Sequence, residues 1–224
     1  MNIYVVVEKG NESNCYVLVE QEHALIIDPN VFSEIEEIID HQQITVDKIL
    51  LTHEHVDHIL GLEVIRERYR TKVYASQSCS DGITDDKKNI SRYYSQWVYA
   101  RQGEMPKEPV KPFCCREAEV RFSDQLSFEW NRHTVRMEHL PGHSDGSTLI
   151  FVDEEYLFSG DYFLKQKDGS FAKDARRLKA AYEKTAFPRL RKIPIGTHIY
   201  PGHGCDYRLS KTDREQFDQI FQRL

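Results

Sequence analysis

Residues 52–58 read Thr52-His53-Glu54-His55-Val56-Asp57-His58, three imidazoles and a carboxylate within six positions, directly after the short apolar run 47–51. Core packing has no use for such a cluster, because every polar group taken out of water must find a partner. In an extended segment His53 and His55 point to the same side. Asp57 and His58 fall on the turn into the next helical stretch, where they can face a second cation about 3.5–4 Å from the first. Neutral imidazole with carboxylate suits zinc, with manganese or iron as reasonable substitutes. Four donors do not close two coordination shells. Three more candidates stand at strand ends beside glycine: His143 in Leu140-Pro141-Gly142-His143-Ser144-Asp145-Gly146, Asp161 in Phe158-Ser159-Gly160-Asp161, and His203 in Tyr200-Pro201-Gly202-His203-Gly204. Glycine at such places tolerates positive φ and a close backbone approach.

Upstream of the cluster, 2–7, 15–19 and 24–27 read as strands, with a turn at Lys9-Gly10-Asn11 between the first two, which predicts an antiparallel meander. The spacing of Ile35, Ile38 and Ile39 among acids predicts a helix over 32–39, and 47–51 is a short apolar strand. A helix over 61–69 and a strand over 72–75 complete a β-α-β layer. From about 76 to 112, Tyr93, Tyr94, Trp97 and Tyr99 precede Gly103, Pro106, Pro109 and Pro112, a pattern that predicts a helical, aromatic insertion or lid beside the site. A second β-rich half follows, with strands over 119–122, 125–128, 134–140, 147–152, 156–159 and 197–200. Helices are expected over 174–191, ended by Pro194, and over 213–224. With no repeat, linker or low-complexity segment, the expectation is one α+β domain spanning 1–224.

The bulk numbers exclude several functions. A formal net charge of -6 leaves no basic field for a phosphate backbone, so nucleic acid is not an expected partner. The five cysteines, Cys15, Cys79, Cys114, Cys115 and Cys205, are odd in number and form no C-x-x-C pair, so neither a disulfide framework nor a structural zinc site is expected. Met1 leads straight into the alternating Ile3 to Val7, without a charged and then apolar leader, and no apolar run approaches the ~20 residues of a membrane span. The expected place is the cytoplasm, with no membrane partner.

The motifs at 53–58, 143, 161 and 203, in that order, resemble those of the metallo-β-lactamase superfamily, and within it the glyoxalase II-like hydrolases. The resemblance implies a four-layer αββα sandwich with the metals at one edge between the two sheets. It implies that His53, His55 and His143 hold one Zn2+, that Asp57, His58 and His203 hold the other, and that Asp161 bridges both. It also implies a hydrolase in which a metal-bridging hydroxide, oriented by Asp57 as the catalytic carboxylate, attacks a carbonyl. Zinc lowers the pKa of bound water to roughly 7, so that nucleophile would be available at neutral pH.

An acyl thioester is the expected substrate, because a thiolate with a pKa near about 8.5 leaves with little acid assistance. Glyoxalase II itself adds a helical, glutathione-gripping portion, which finds no counterpart in the about twenty residues after His203. Cys205-Asp206-Tyr207-Arg208 also departs from the threonine-rich continuation of the small glyoxalase II-like proteins. In size, in the opening over 11–16 and in the long insertion, the chain is similar to the small zinc hydrolases of bacterial polyketide clusters of the bacillaene type. That likeness implies an acyl carrier protein as the thiol carrier, and Arg176, Arg177, Lys179, Lys184, Arg189, Arg191 and Lys192 are candidates for a basic docking patch. Alternatives on the same motifs are a lactonase or β-lactamase, and a persulfide dioxygenase with one iron. Of the other histidines, His139 and His198 lie on strands leading to ligand loops and are candidates to support them, whereas His23, His41 and His133 read as structural. Glu54, between two donors, should point the opposite way and is not a ligand.

Overall fold

The computed structural model describes residues 1–105, 109–166, 168–171 and 182–221. The chain divides into two compact units, Met1–Arg121 and Phe122–Leu224.

In the first unit β1 (Asn2–Val7), β2 (Asn14–Glu20), β3 (His23–Ile27), β4 (Thr45–Leu50), β5 (Lys72–Ser76) and β6 (Val120–Phe122) form a sheet in that order. The first three are the expected antiparallel meander. The pairs β3/β4 and β4/β5 are parallel, so each needs a crossover, supplied by α1 (Phe32–His41) and by α2 (Val56–Ile59) with α3 (Leu62–Tyr69). Helix α1 places Ile35 and Ile39 one turn apart and buries both, worth about 1.5–3 kcal/mol for each side chain. Strands β2 and β3 are buried on both faces, which is why they read as continuous apolar runs rather than as alternation. Strand β4 starts two residues earlier than its apolar run, because the Thr45 N–H donates to the Glu22 carbonyl at 2.8 Å and begins the parallel ladder in polar sequence.

The aromatic stretch is helical as expected. It holds α4 (Gln77–Ile83), a 3-10 turn (Ser91–Tyr93) and α5 (Tyr94–Gln102). Helix α4 has a polar sequence and no periodic signal. Ser76 starts it by accepting the Cys79 N–H at 3.2 Å.

In the second unit β7 (Gln125–Trp130), β8 (His133–His139), β9 (Thr148–Val152), β10 (Tyr156–Gly160), β11 (His198–Pro201) and β12 (Tyr207–Arg208) form a sheet in the order β12-β11-β10-β9-β8-β7. All neighbours are antiparallel except β10/β11. Of the helix expected over 174–191, the part over 174–181 lies outside the described residues. The rest is a π-turn (Tyr182–Ala186) followed by α6 (Phe187–Leu190), with Pro188 in its first turn. Helix α7 (Lys211–Phe221) starts before Asp213, because Ser210 and Asp213 exchange caps: the Asp213 N–H donates to Ser210 Oγ at 3.1 Å, and the Ser210 N–H donates to Asp213 Oδ2 at 2.9 Å. Residues 222–224 of that expected helix lie outside the described ones. Phe217 of α7 and Leu190 of α6 pack with Leu149, Phe151, Leu157 and Ile199 of the sheet. Among the described residues no helix is long and apolar enough to cross a membrane.

Candidate metal centre

Strand β4 ends at Leu50, and the chain turns through His53 and His55 into the single turn of α2, which carries Asp57 and His58. The His53 ring centroid lies 4.6 Å from that of His55 and 4.2 Å from that of His58. His58 Nε2 lies 3.7 Å from Asp57 Oδ2. All four donors are buried.

What orients them was not legible in the motif. Asp28, just past β3, accepts the Thr52 N–H at 2.8 Å and the Thr52 hydroxyl at 2.5 Å, and lies 3.0 Å from His58 Nδ1. Thr52 Oγ1 in turn lies 3.0 Å from His53 Nδ1. With Nδ1 engaged in this way, each ring presents Nε2 as its ligand atom, the arrangement metal-binding histidines use. Asp28, His53 and His58 offer donor atoms within 4.8 Å of one another, but the Asp28 carboxylate is already committed to Thr52 and His58, so it is an orienting group. Asn11 Nδ2 donates to Asp57 Oδ2, and Ser13 Oγ to the Asp57 carbonyl at 2.7 Å.

Helix α2 is also held from the aromatic stretch. The Val56 N–H donates to the Asn89 carbonyl at 2.8 Å, and Val56 packs with Tyr94 and Val98 of α5. Burial, with the charges of Glu8 and Asp57, raises the Tyr94 hydroxyl above its ordinary pKa. Glu54 is not a ligand in this arrangement: its side chain lies over Gly82 of α4, where a Cβ would come 2.6 Å from Glu54 Cγ. Cys15 of β2 and Cys79 of α4 are buried in one core cluster, and burial first, then neighbouring carboxylates, raise both thiols well above their ordinary pKa. Neither is poised to act as a thiolate.

In the second unit the donors come from three separate loops. Asp161 follows the β10/β11 register shift at Gly160, whose φ is +53°, and such an irregularity re-aims the side chain after it. Asp161 Oδ2 lies 3.4 Å from His143 Nε2, and Asp161 Oδ1 lies 3.5 Å from His203 Nε2. One carboxylate thus offers a different oxygen to each histidine. The next residue, Tyr162, donates its hydroxyl to the Leu140 carbonyl at 2.7 Å and accepts the His143 N–H at 3.1 Å. The Gly202 N–H donates to the Gly160 carbonyl at 2.7 Å, tying the third loop to the second.

His139 also supports this side. Its ring nitrogens lie 2.9 Å from the Ser123 carbonyl and 2.8 Å from the Asp145 carbonyl in the His143 loop. His198 pairs with Asp206 at 2.6 Å. His23 and His133 pair with Asp47 and Asp153, as structural histidines do.

In the first unit the rings of His53, His55 and His58 and the Asp57 carboxylate, with outer partners on Nδ1 of His53 and His58, are a donor set that suits a divalent cation. The sequence profile of the metallo-β-lactamase superfamily matches residues 9–207. The chain belongs to that superfamily. A protein of Mycobacterium leprae without an assigned role is 27% identical over 202 residues, covering 86% of this chain and 87% of that one. The hydroxyacylglutathione hydrolase of Psychromonas ingrahamii is 28% identical over 204 residues, covering 89% of this chain and 64% of that protein. Among solved structures, the BLEG-1 B3 metallo-β-lactamase superposes with a TM-score of 0.72 at 25% identity, over 92% of this chain and 94% of that one. The fold is therefore the metallo-β-lactamase fold, α+β with two mixed six-stranded sheets and their helices, and the protein is a member of a metallohydrolase superfamily with a His/Asp cluster suited to a divalent metal.

Proposed function

We propose that the protein is a two-zinc hydrolase of acyl thioesters, with His53, His55 and His143 on one ion, Asp57, His58 and His203 on the other, and Asp161 shared. The observation that carries this reading is the Asp161 carboxylate, whose two oxygens face two different histidines. When bound, two zinc ions supply an ionised water near neutral pH and polarise a carbonyl oxygen. The chain supplies the rest. Asp28 and Thr52 hold His58 and His53 in register, so little reorganisation remains when substrate arrives. Asn11 holds the Asp57 carboxylate, which orients the attacking water. The aromatic stretch on and beside α5, whose Tyr93 is 49% exposed, is the candidate surface for recognising the acyl group. A departing thiolate needs no proton donor at neutral pH, since its ordinary pKa is about 8.5.

Support for a thioester comes from the hydroxyacylglutathione hydrolase likeness. Support for an acyl carrier protein in polyketide assembly comes from the sequence resemblance alone. Of the basic residues offered for docking, Arg189 binds Glu138 and Arg191 binds Asp218, while Arg176, Arg177 and Lys179 lie outside the described residues. Lys184 and Lys192 are exposed.

The test is a metal count on purified protein together with hydrolysis of an acyl carrier protein thioester, S-lactoylglutathione, a homoserine lactone and nitrocefin. Two zinc ions per chain and preferential thioester cleavage are expected. One iron per chain with oxygen consumption on a persulfide, or faster turnover of the lactone or lactam, would overturn the assignment.

A further inference from the structure

The residues after His203 do not continue as in the small glyoxalase II-like proteins, and the structure gives that departure a physical role. His203 lies in the turn between β11 and β12, and β12 begins at Tyr207. The Tyr207 hydroxyl donates to the Phe163 carbonyl at 2.8 Å. Phe163 lies two residues after Asp161 and has φ +59°, a left-handed conformation that bulky side chains avoid. Its ring packs 4.8 Å from that of Phe217 on α7. One side-chain bond therefore joins the loop carrying Asp161 to the segment that follows His203, at a residue whose left-handed backbone is costly for a bulky side chain.

The strut is itself braced. Lys165 Nζ lies 3.8 Å from the Tyr207 ring centroid and 2.6 Å from Asp213 Oδ1, the residue that caps α7. The Lys165 carbonyl lies 3.7 Å from where a Cβ on Gly204 would sit, and Gly204 has φ +81°. Burial raises the Tyr207 hydroxyl above its ordinary pKa, so it remains a donor across the working range.

We infer that Tyr207 is a positioning residue for the second ion: it fixes the separation of Asp161 and His203, with Lys165 and the capped end of α7 holding its ring. Tyr162 serves the His143 loop in a comparable way, so each half of the Asp161 carboxylate has its own tyrosine. This inference rests on the two-ion reading proposed above.

The test is Tyr207→Phe, which keeps the ring and removes the hydroxyl, with the metal-free protein titrated with cobalt(II) and followed by absorption and by counting bound ions. Wild type should show two binding steps. In Tyr207→Phe one step should weaken about 10–100-fold while the other is unchanged, and the far-ultraviolet circular dichroism of the metal-free protein should match wild type. Lys165→Met should weaken the same step by less, and it carries the comparison should Tyr207→Phe fail to fold. Unchanged steps in both variants, or both steps weakened alike, overturn the strut. A wild type with fewer than two steps overturns the two-ion reading instead.

Discussion

The two units hold their candidate metal donors in opposite ways. The first offers four donors from the single stretch 53–58, and the work of its surroundings is to orient rings: Asp28 and Thr52 take the Nδ1 atoms, and Ser13 holds the Asp57 carbonyl. The second offers one donor from each of three loops, and the work there is to hold loops together: Tyr162 ties His143 to Asp161, and the Gly202 N–H and Tyr207 tie His203 to Asp161. A contiguous motif needs orienting partners, whereas a scattered one needs struts. The two kinds of support should fail differently.

The largest effect is expected at the junction of the three loops. Asp161→Ala removes the group that faces both histidines, so activity should fall by more than the about 10–100-fold typical of losing an outer partner, and bound metal should drop below two ions per chain, by elemental analysis, without loss of circular dichroism. Full activity in that variant would remove the shared-carboxylate role.

Next is Asp28→Ala. It leaves the Thr52 N–H and hydroxyl and the His58 ring without their acceptor, which should weaken metal binding about 10–100-fold and lower stability by about 1–3 kcal/mol in chemical denaturation. Unaltered affinity would make Asp28 structural only.

Tyr162→Phe should cost about 1–3 kcal/mol through the Leu140 carbonyl and His143 N–H, with about tenfold weaker metal binding. Because the loss falls on a loop rather than on a ring, the protein should become more sensitive to proteolysis near residue 143, which Asp28→Ala should not match.

The same contrast explains what could be read from sequence. The 53–58 motif announces itself because its donors are neighbours and their chemistry has no packing explanation. Most strands and helices were legible from their apolar spacing, with displaced ends where a hydrogen bond, not propensity, sets the boundary: Thr45 begins β4 in polar sequence, and Ser210 caps α7 so that it begins at Lys211, two residues before Asp213. His143, Asp161 and His203 were legible only through the glycines beside them and the family resemblance. Asn11, Ser13, Asp28, Tyr162 and Tyr207 were not identified, because their roles depend on partners 19 to 46 positions away in the chain. Asp28 had one available signal, a lone acid after the apolar 24–27 strand and before Pro29-Asn30. Strand β12 was missed because it has no apolar period, and helix α4 fell within the expected helical insertion without a period to mark its ends.

The smallest effect concerns the outer side of the second sheet. Arg189 of α6 and Arg136 of β8 both bind Glu138, and Arg136 stacks on Phe151 at 3.9 Å. Burial would raise the Glu138 carboxyl, but its bonds to Arg189 and Arg136 outweigh that and hold it below its ordinary pKa. A carboxyl depressed in the folded state adds stability above its unfolded value of about 4.3, and that stability is lost as pH falls through the folded value. Glu138→Gln should therefore lower Tm by a few degrees at pH 7 and leave it nearly unchanged near pH 3, with metal content intact. An equal loss at both pH values would assign the effect to packing.

The most direct test of a shared two-ion centre is anomalous diffraction at the zinc edge from crystals of the zinc-loaded protein. Two peaks about 3.5–4 Å apart, with one Asp161 oxygen on each and the 53–58 histidines completing the shells, are predicted. A single peak, or two with Asp161 bound to neither, would contradict it.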